Sequence, residues 1–174
     1  MNRFLKNFIG MFFGFFIVNT CFALEVGNPA PLFSLKNQEG KIISLQENKD
    51  KLWTVVYFYP KAGTPGCTTQ ACAFRDSIKI IKSKGAIVYG VSTDSVASLK
   101  EFYEKHKLTF DLLSDEDAKI AKAYGTKMAV LTMSKRITFI IDDKLVIRSI
   151  DENVDPALDA KKVADKISEL RSIK

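Results

Sequence analysis

One run of residues sets what the rest of this chain can fold into: residues 55–76, VVYFYPKAGTPGCTTQACAFRD. Five β-branched or aromatic residues, Val55 to Tyr59, read as a fully buried strand. Pro60 ends it, and a short loop with Gly63, Pro65 and Gly66 follows. A helical pattern begins at about Cys67. Cys67, Ala71, Phe74, Ile78 and Ile81 then fall on one apolar stripe of a helix. Gly85 suits the position just past its end. A thiol therefore sits in the first turn of a helix that emerges from a central strand.

That position has chemical consequences. A first turn carries unpaired backbone N–H groups and the positive end of the helix dipole, and both favour thiolate over thiol. Thiols so placed titrate at roughly 3.5–7.5 rather than about 8.5. The thiolate is the nucleophile, so Cys67 is the best candidate in the chain for covalent chemistry. The plainer reading, a buried structural cysteine, does not account for the strand, proline, glycine loop and helix start arriving together. The backbone N–H groups of Gly66 and Cys67 point into the same space and can stabilise developing negative charge. Thr64, three residues before the cysteine, can bring its hydroxyl to the helix mouth or simply cap the helix. Cys72 lies five residues on, about 140° round the helix from Cys67 and roughly 8.6 Å away between Cα atoms. A disulfide needs less than about 7 Å. Such a bond cannot form while the helix is intact, which disfavours a permanent disulfide and favours one made by local unfolding.

Residues 1–23 read as a separate segment. A basic start, MNRFLKN, precedes an eleven-residue apolar core, FIGMFFGFFIV, and the small residues Cys21 and Ala23 suit a cleavage site. The core is short of the roughly 20 residues that span a bilayer. The expectation is a signal peptide over 1–23, a domain over 24–174, and an exported protein, most simply periplasmic. A retained anchor is the alternative. Cleavage removes Cys21 and leaves Cys67 and Cys72. The net charge of +6 includes Arg3 and Lys6, and the remaining basic residues are dispersed, which argues against a nucleic-acid surface.

Further on, 32–35 and 41–45 read as a hairpin turning at Glu39–Gly40, followed by a polar loop over 46–51. Strands are expected at 87–91, 110–113, 137–141 and 145–150. Helices are expected from Val96 to His106, capped by Asp94 or Ser95, and over 118–124, capped by Ser114 with Asp117 three residues later. A last helix opens at Asp155 and Pro156 and turns Val163, Ile167 and Leu170 inward. The order is β-β, then β-α-β-α-β-α-β-β-α. It predicts one α/β domain with a mixed central sheet, helices on both faces and an N-terminal β-hairpin.

Pro60, Thr64 and Cys67 reproduce the signature of the peroxiredoxins: Pro, three residues, Thr, two residues, Cys. The longer run YFYPKAGTPGCTTQACAFRD resembles the bacterioferritin comigratory protein (peroxiredoxin Q) branch. GNPAPLFSL, YGVSTD, LLSDED and KRITFIID extend the likeness from about Leu24 to the C-terminus. The segment 126–135 is shorter than in some relatives, and the turn at 142–144 lacks their glycine.

The resemblance implies a thioredoxin-like fold and a thiol peroxidase. It assigns Cys67 as the peroxidatic cysteine, Cys72 as the resolving one, and Pro60 as a shield of the thiolate from water. It also places an active-site arginine immediately before the strand ITFII, which is Arg136. Without it Arg136 would read as a surface residue; Arg75 and Arg148 are weaker candidates for the same role. The resemblance further implies a peroxide substrate and a thioredoxin-like dithiol reductant; the lack of a phosphate-binding or dinucleotide motif leads to the expectation of no cofactor, and removal of the leader to that of no stable membrane association. A monomer is expected. Two readings from other classes stand beside it. A thioredoxin-type thiol–disulfide oxidoreductase is disfavoured by C-x₄-C spacing; a non-enzymatic envelope domain held by a disulfide is the other. His106, the lone histidine, sits at the end of an amphipathic helix and reads as packing or surface. No Cys–His dyad, zinc pattern or phosphate-binding glycine loop is present.

Overall fold

The computed structural model describes residues 24–172. The segment read as a signal peptide, with Cys21, lies outside the described residues. The strands are β1 (Ser34–Asn37), β2 (Ile42–Ser44), β3 (Trp53–Phe58), β4 (Ala86–Ser92), β5 (Asp111–Ser114), β6 (Ile137–Ile141) and β7 (Ile147–Asp151). The helices are α1 (Pro65–Ser83), α2 (Val96–Lys105), α3 (Lys119–Ala123) and α4 (Asp159–Ser172). Element order is the one expected from the sequence.

The seven strands form one mixed sheet in the order β2-β1-β5-β4-β3-β6-β7. β3, β4 and β5 run parallel, while β6 pairs antiparallel with β3, and β1 with β5. Alternation along β3 divides the core in two. Val55 and Tyr57 face the side that packs α1, α2 and α4 through Phe74, Leu99 and Ile167. Val56 and Phe58 face the side that packs α3 and the N-terminal lead-in through Ala121, Tyr124 and Phe33. Burial on both faces of a strand favours apolar side chains at successive positions, which is why 55–59 reads as one unbroken run.

The expected stripe of α1 is its buried face: Cys67, Ala71, Phe74, Ile78 and Ile81 are all inside. Gly85, at φ +69°, follows the helix end. Tyr57 lies flat against Phe74, with ring centroids 4.6 Å apart at 17°. On β4 its partner is Gly90, where a Cβ would meet the phenol ring at 2.6 Å. The glycine leaves room for the ring that carries the cysteine helix.

Several local expectations need correction. The 46–51 loop begins as a 3₁₀ turn, Leu45–Asn48, because Leu45 is pulled into the core. Ser114 does not cap α3, since its hydroxyl donates to the Asp94 carbonyl. Asp115 accepts from the Ile120 and Ala121 amides instead, and Ala118 takes a left-handed φ of +55° to bring it there. Ser95, not Asp94, caps α2. Asp155 accepts from the Ala157 amide, but 156–158 form a turn and α4 proper opens at Asp159.

Candidate active site

The loop between β3 and α1 is held from below before it turns into the helix. Asp94, at the end of β4, accepts from the Ala62 amide at 2.8 Å and from the Ser92 hydroxyl at 2.8 Å. Thr64 occupies the cap position of α1 with extended backbone, and its carbonyl accepts from the Thr68 amide. Its hydroxyl donates to the Lys61 carbonyl at 3.0 Å and does not cap a helix amide. Pro65, whose missing N–H would be unpaired anyway, opens the helix. Cys67 follows within the first turn, 1% exposed. Pro60 is half-buried at the end of the same strand.

Sheet topology brings the arginine to this point. β6 runs antiparallel to β3 with Ile137 opposite Phe58, so the residue before β6 arrives where β3 gives way to the loop. That residue is Arg136. Its Nη2 lies 3.4 Å from Cys67 Sγ, a charge-bearing donor on the sulfur. Gly66 allows the approach, because a Cβ there would stand 3.2 Å from the same nitrogen. Arg136 Nη1 also donates to the side-chain oxygen of Gln70.

Gln70 carries the contact on to α4. It is wholly buried, and its Nε2 donates to Asp159 Oδ2 at 2.6 Å. Thr138 Oγ1 donates to the same oxygen at 2.8 Å. Asp159 is 1% exposed at the start of α4. Burial pushes its carboxyl up to about 6, against the pull of the hydrogen bonds from Gln70 and Thr138; Asp151 raises it further and Lys162 lowers it. The result is a continuous chain of contacts, Cys67–Arg136–Gln70–Asp159–Thr138, running from the sulfur along the α1/α4 face of the sheet to β6.

Sequence reading missed Gln70, Asp159 and Asp94. Gln70 left a trace, a polar residue three positions after Cys67 and therefore on the buried side of α1. Asp159 left none, being 89 residues from its partner.

The remaining candidates lie apart from the sulfur. Cys72 is half-buried, unbonded, on the same unbroken helix as Cys67. Arg75 neighbours it, but spends its guanidinium on Asp76 and the His106 carbonyl. Arg148 pairs with Asp142. His106 closes α2, its ring edge-on to Phe102 at 4.9 Å.

The arrangement is a buried thiol at a helix start, with an arginine donor on it and a buried network that fixes the arginine. Comparison with known proteins finds the same architecture. Residues 26–150 match the AhpC/TSA family. A chloroplastic peroxiredoxin Q of Oryza sativa subsp. japonica is 46% identical over 134 residues, covering 76% of this chain and 61% of that protein. The chain thus spans about three fifths of that plant relative. A protein of Coxiella burnetii that carries the name peroxiredoxin bcp is 40% identical, covering 74% of this chain and 88% of that one. The crystal structure of peroxidoxin BcpB from Mycobacterium tuberculosis superposes with a TM-score of 0.79 at 31% identity, over 87% of this chain and 99% of that one. The bacterioferritin comigratory protein of Xanthomonas campestris, described for its alkyl peroxide reduction activity, superposes at 0.75 with 28% identity, over 79% and 91%. Signature, sheet order and relatives agree: the chain belongs to the AhpC/TSA family, in its bcp and peroxiredoxin Q branch.

Proposed function

We propose that this protein is a thiol peroxidase that reduces hydrogen peroxide and organic hydroperoxides. The observation that carries the reading is the contact between Arg136 Nη2 and Cys67 Sγ, 3.4 Å, at the first turn of α1. The Cys67 thiolate attacks the nearer peroxide oxygen. An S–O bond forms as the O–O bond breaks, and the sulfur, oxidised by two electrons, becomes a sulfenic acid. The other oxygen leaves as hydroxide or alkoxide and takes a proton from water. Arg136 and the amides at the helix start stabilise the charge spread over the two oxygens. The Cys72 thiolate then attacks the sulfenic sulfur, an S–S bond forms, and the displaced hydroxide is protonated to water. An external thioredoxin-like dithiol reduces the disulfide by exchange. In this reading Pro60 shields the sulfur and Thr64 borders the peroxide. The activity described for the Xanthomonas relative supports alkyl hydroperoxides as substrates.

Two variants test the roles. Cys67→Ser abolishes peroxide consumption. Cys72→Ser still consumes one equivalent, accumulates a sulfenic acid that a dimedone probe traps, and is poorly recycled by dithiols. Equal loss of the first turnover in both would overturn the assignment.

We also read residues 1–23 as a cleaved export signal, supported by their basic start, apolar core and small residues before Leu24. The mature enzyme is then a periplasmic monomer served by an envelope dithiol protein. Intact mass of the exported protein checks this: a mass that retains residues 1–23 would favour an anchor.

A further inference from the structure

We propose that Asp159 is a positioning residue of the active site: as a carboxylate it locks Arg136 against Cys67 through Gln70, and its protonation loosens the lock. The inference rests on the peroxidase reading and assigns a control to it.

The argument begins with hydrogen-bond polarity. A guanidinium has donors and no acceptor. Gln70 must therefore turn its amide oxygen to Arg136 Nη1, which sends its amide nitrogen the other way. There Asp159 Oδ2 receives it at 2.6 Å, together with the Thr138 hydroxyl at 2.8 Å. A carboxylate accepts and never donates, so it stabilises only this orientation of the amide. A protonated carboxyl can donate as well. Gln70 can then reverse, offering its oxygen to Asp159 and its nitrogen to Arg136, where two donors confront each other and the guanidinium loses its hold.

The surroundings suit a group that changes charge. Tyr57 on β3, Asp151 on β7 and Lys162 on α4 face Asp159, and Arg136 reaches it through Gln70. Asp151 and burial favour the neutral form, while Lys162 and the two donated hydrogen bonds favour the charged one. The balance leaves the carboxyl at about 6, within reach of modest acidification. Asp159 also lines a groove of about 270 Å³ between β7 and α4, beside Asp151, Lys162 and Lys166. Protons can reach it from that side without passing Cys67.

Protonating Asp159 has two effects of opposite sign on the sulfur. Loss of a negative charge favours the thiolate, whereas a loosened Arg136 stabilises the transition state less. The test separates them. Alkylation by iodoacetamide depends on thiolate alone, and peroxide attack depends on thiolate and on the arginine. The ratio of the two second-order rate constants cancels the thiolate fraction. In the wild type this ratio should fall by about fivefold as pH drops through 6, in line with the advantage of a charged over a neutral hydrogen-bond acceptor. In Asp159→Asn it should stay low and flat. Thr138→Val, which removes one donor from the carboxylate, should move the inflection to higher pH, an effect that a purely structural role would not produce. It also serves if Asp159→Asn does not fold. A pH-independent wild-type ratio, or the same inflection in Asp159→Asn, overturns the inference and leaves the peroxidase reading standing. Alkylation of Cys67 without peroxide consumption at any pH overturns both.

Discussion

At the residue scale, the proposed chemistry depends on how closely one guanidinium approaches one sulfur, and Gly66 leaves room for that approach. In a first helical turn alanine is favoured over glycine by up to about 1 kcal/mol. At Gly66 the added Cβ would stand 3.2 Å from Arg136 Nη2, tight enough to displace it. Gly66→Ala should therefore leave the melting temperature unchanged or raised while slowing peroxide attack about tenfold. Arg136→Met, which deletes the donor, should slow attack by roughly 10²-fold, the usual effect of losing one preorganised oxyanion donor. Stopped-flow oxidation measures both, and a Gly66→Ala rate equal to wild type would mean that the arginine works equally well from further away. Cys67 is legible in the sequence because its chemistry follows from a local pattern, a thiol at a helix start. Arg136 needed the family likeness, since nothing local marks an arginine before a strand as catalytic. Gln70 shows in the sequence only as a polar residue on the buried side of α1 and Asp159 not at all, because the contact between them exists only once α1 and α4 are packed side by side.

At the scale of elements, the peroxidase reading gives α1 two incompatible tasks. Its buried stripe, from Cys67 to Ile81, packs on β3 through the Tyr57–Phe74 stack and keeps the thiol at the helix start. Yet Cys72 sits about 140° round the same helix, and the roughly 8.6 Å between the two Cα positions exceeds what a disulfide spans. Joining the two sulfurs requires at least one turn to melt. Oxidation should accordingly lower hydrogen-exchange protection from about Gly66 to Phe74 and leave the sheet largely unchanged. Equal protection in both forms, with the Cys67–Cys72 disulfide confirmed by mass, would contradict the idea. The strands of this fold could be read because burial on two faces or one leaves a period of two or an apolar run. Helix starts were less readable. Ser114 and Asp117 carry a capping pattern, but the left-handed Ala118 hands the capping to Asp115, and that choice depends on β5 and β4 lying together. β1 begins two residues later than the apolar run suggests, because its ladder with β2 starts at the Ser34–Ser44 pair.

At the scale of the whole molecule, a buried carboxylate should be visible in the stability of the fold. Asp159 sits at about 6 against an ordinary 3.8, chiefly through burial. The folded state thus binds this proton more tightly than the unfolded chain. Stability from this group is fully present below about pH 4 and is lost as pH rises through 6. A displacement from 3.8 to about 6 corresponds to roughly 3 kcal/mol, the cost of keeping the charge inside at neutral pH. Total stability cannot display this directly, because other carboxylates run the opposite way. Asp50, Asp76 and Asp117 are held below the ordinary range by hydrogen bonds from Lys144, Arg75 and Lys119, so they lose stability on acidification. The difference between Asp159→Asn and wild type removes them. Asparagine fills the same space but carries no charge to desolvate, and because its amide donates as well as accepts it does not fix Gln70 in one orientation. Chemical denaturation from pH 4 to 8 should show the variant gaining on the wild type by up to about 3 kcal/mol as pH rises, most of it between 4 and 6. Any constant offset from the new amide leaves that slope intact. A difference that is flat with pH would mean that Asp159 is not a desolvated charge in the fold, and the lock on Arg136 would lose its switch. A slope in stability with no accompanying change in the peroxide-to-iodoacetamide ratio would make the carboxylate structural. Both slopes together would mean that the fold gives up stability at neutral pH to keep its arginine in place.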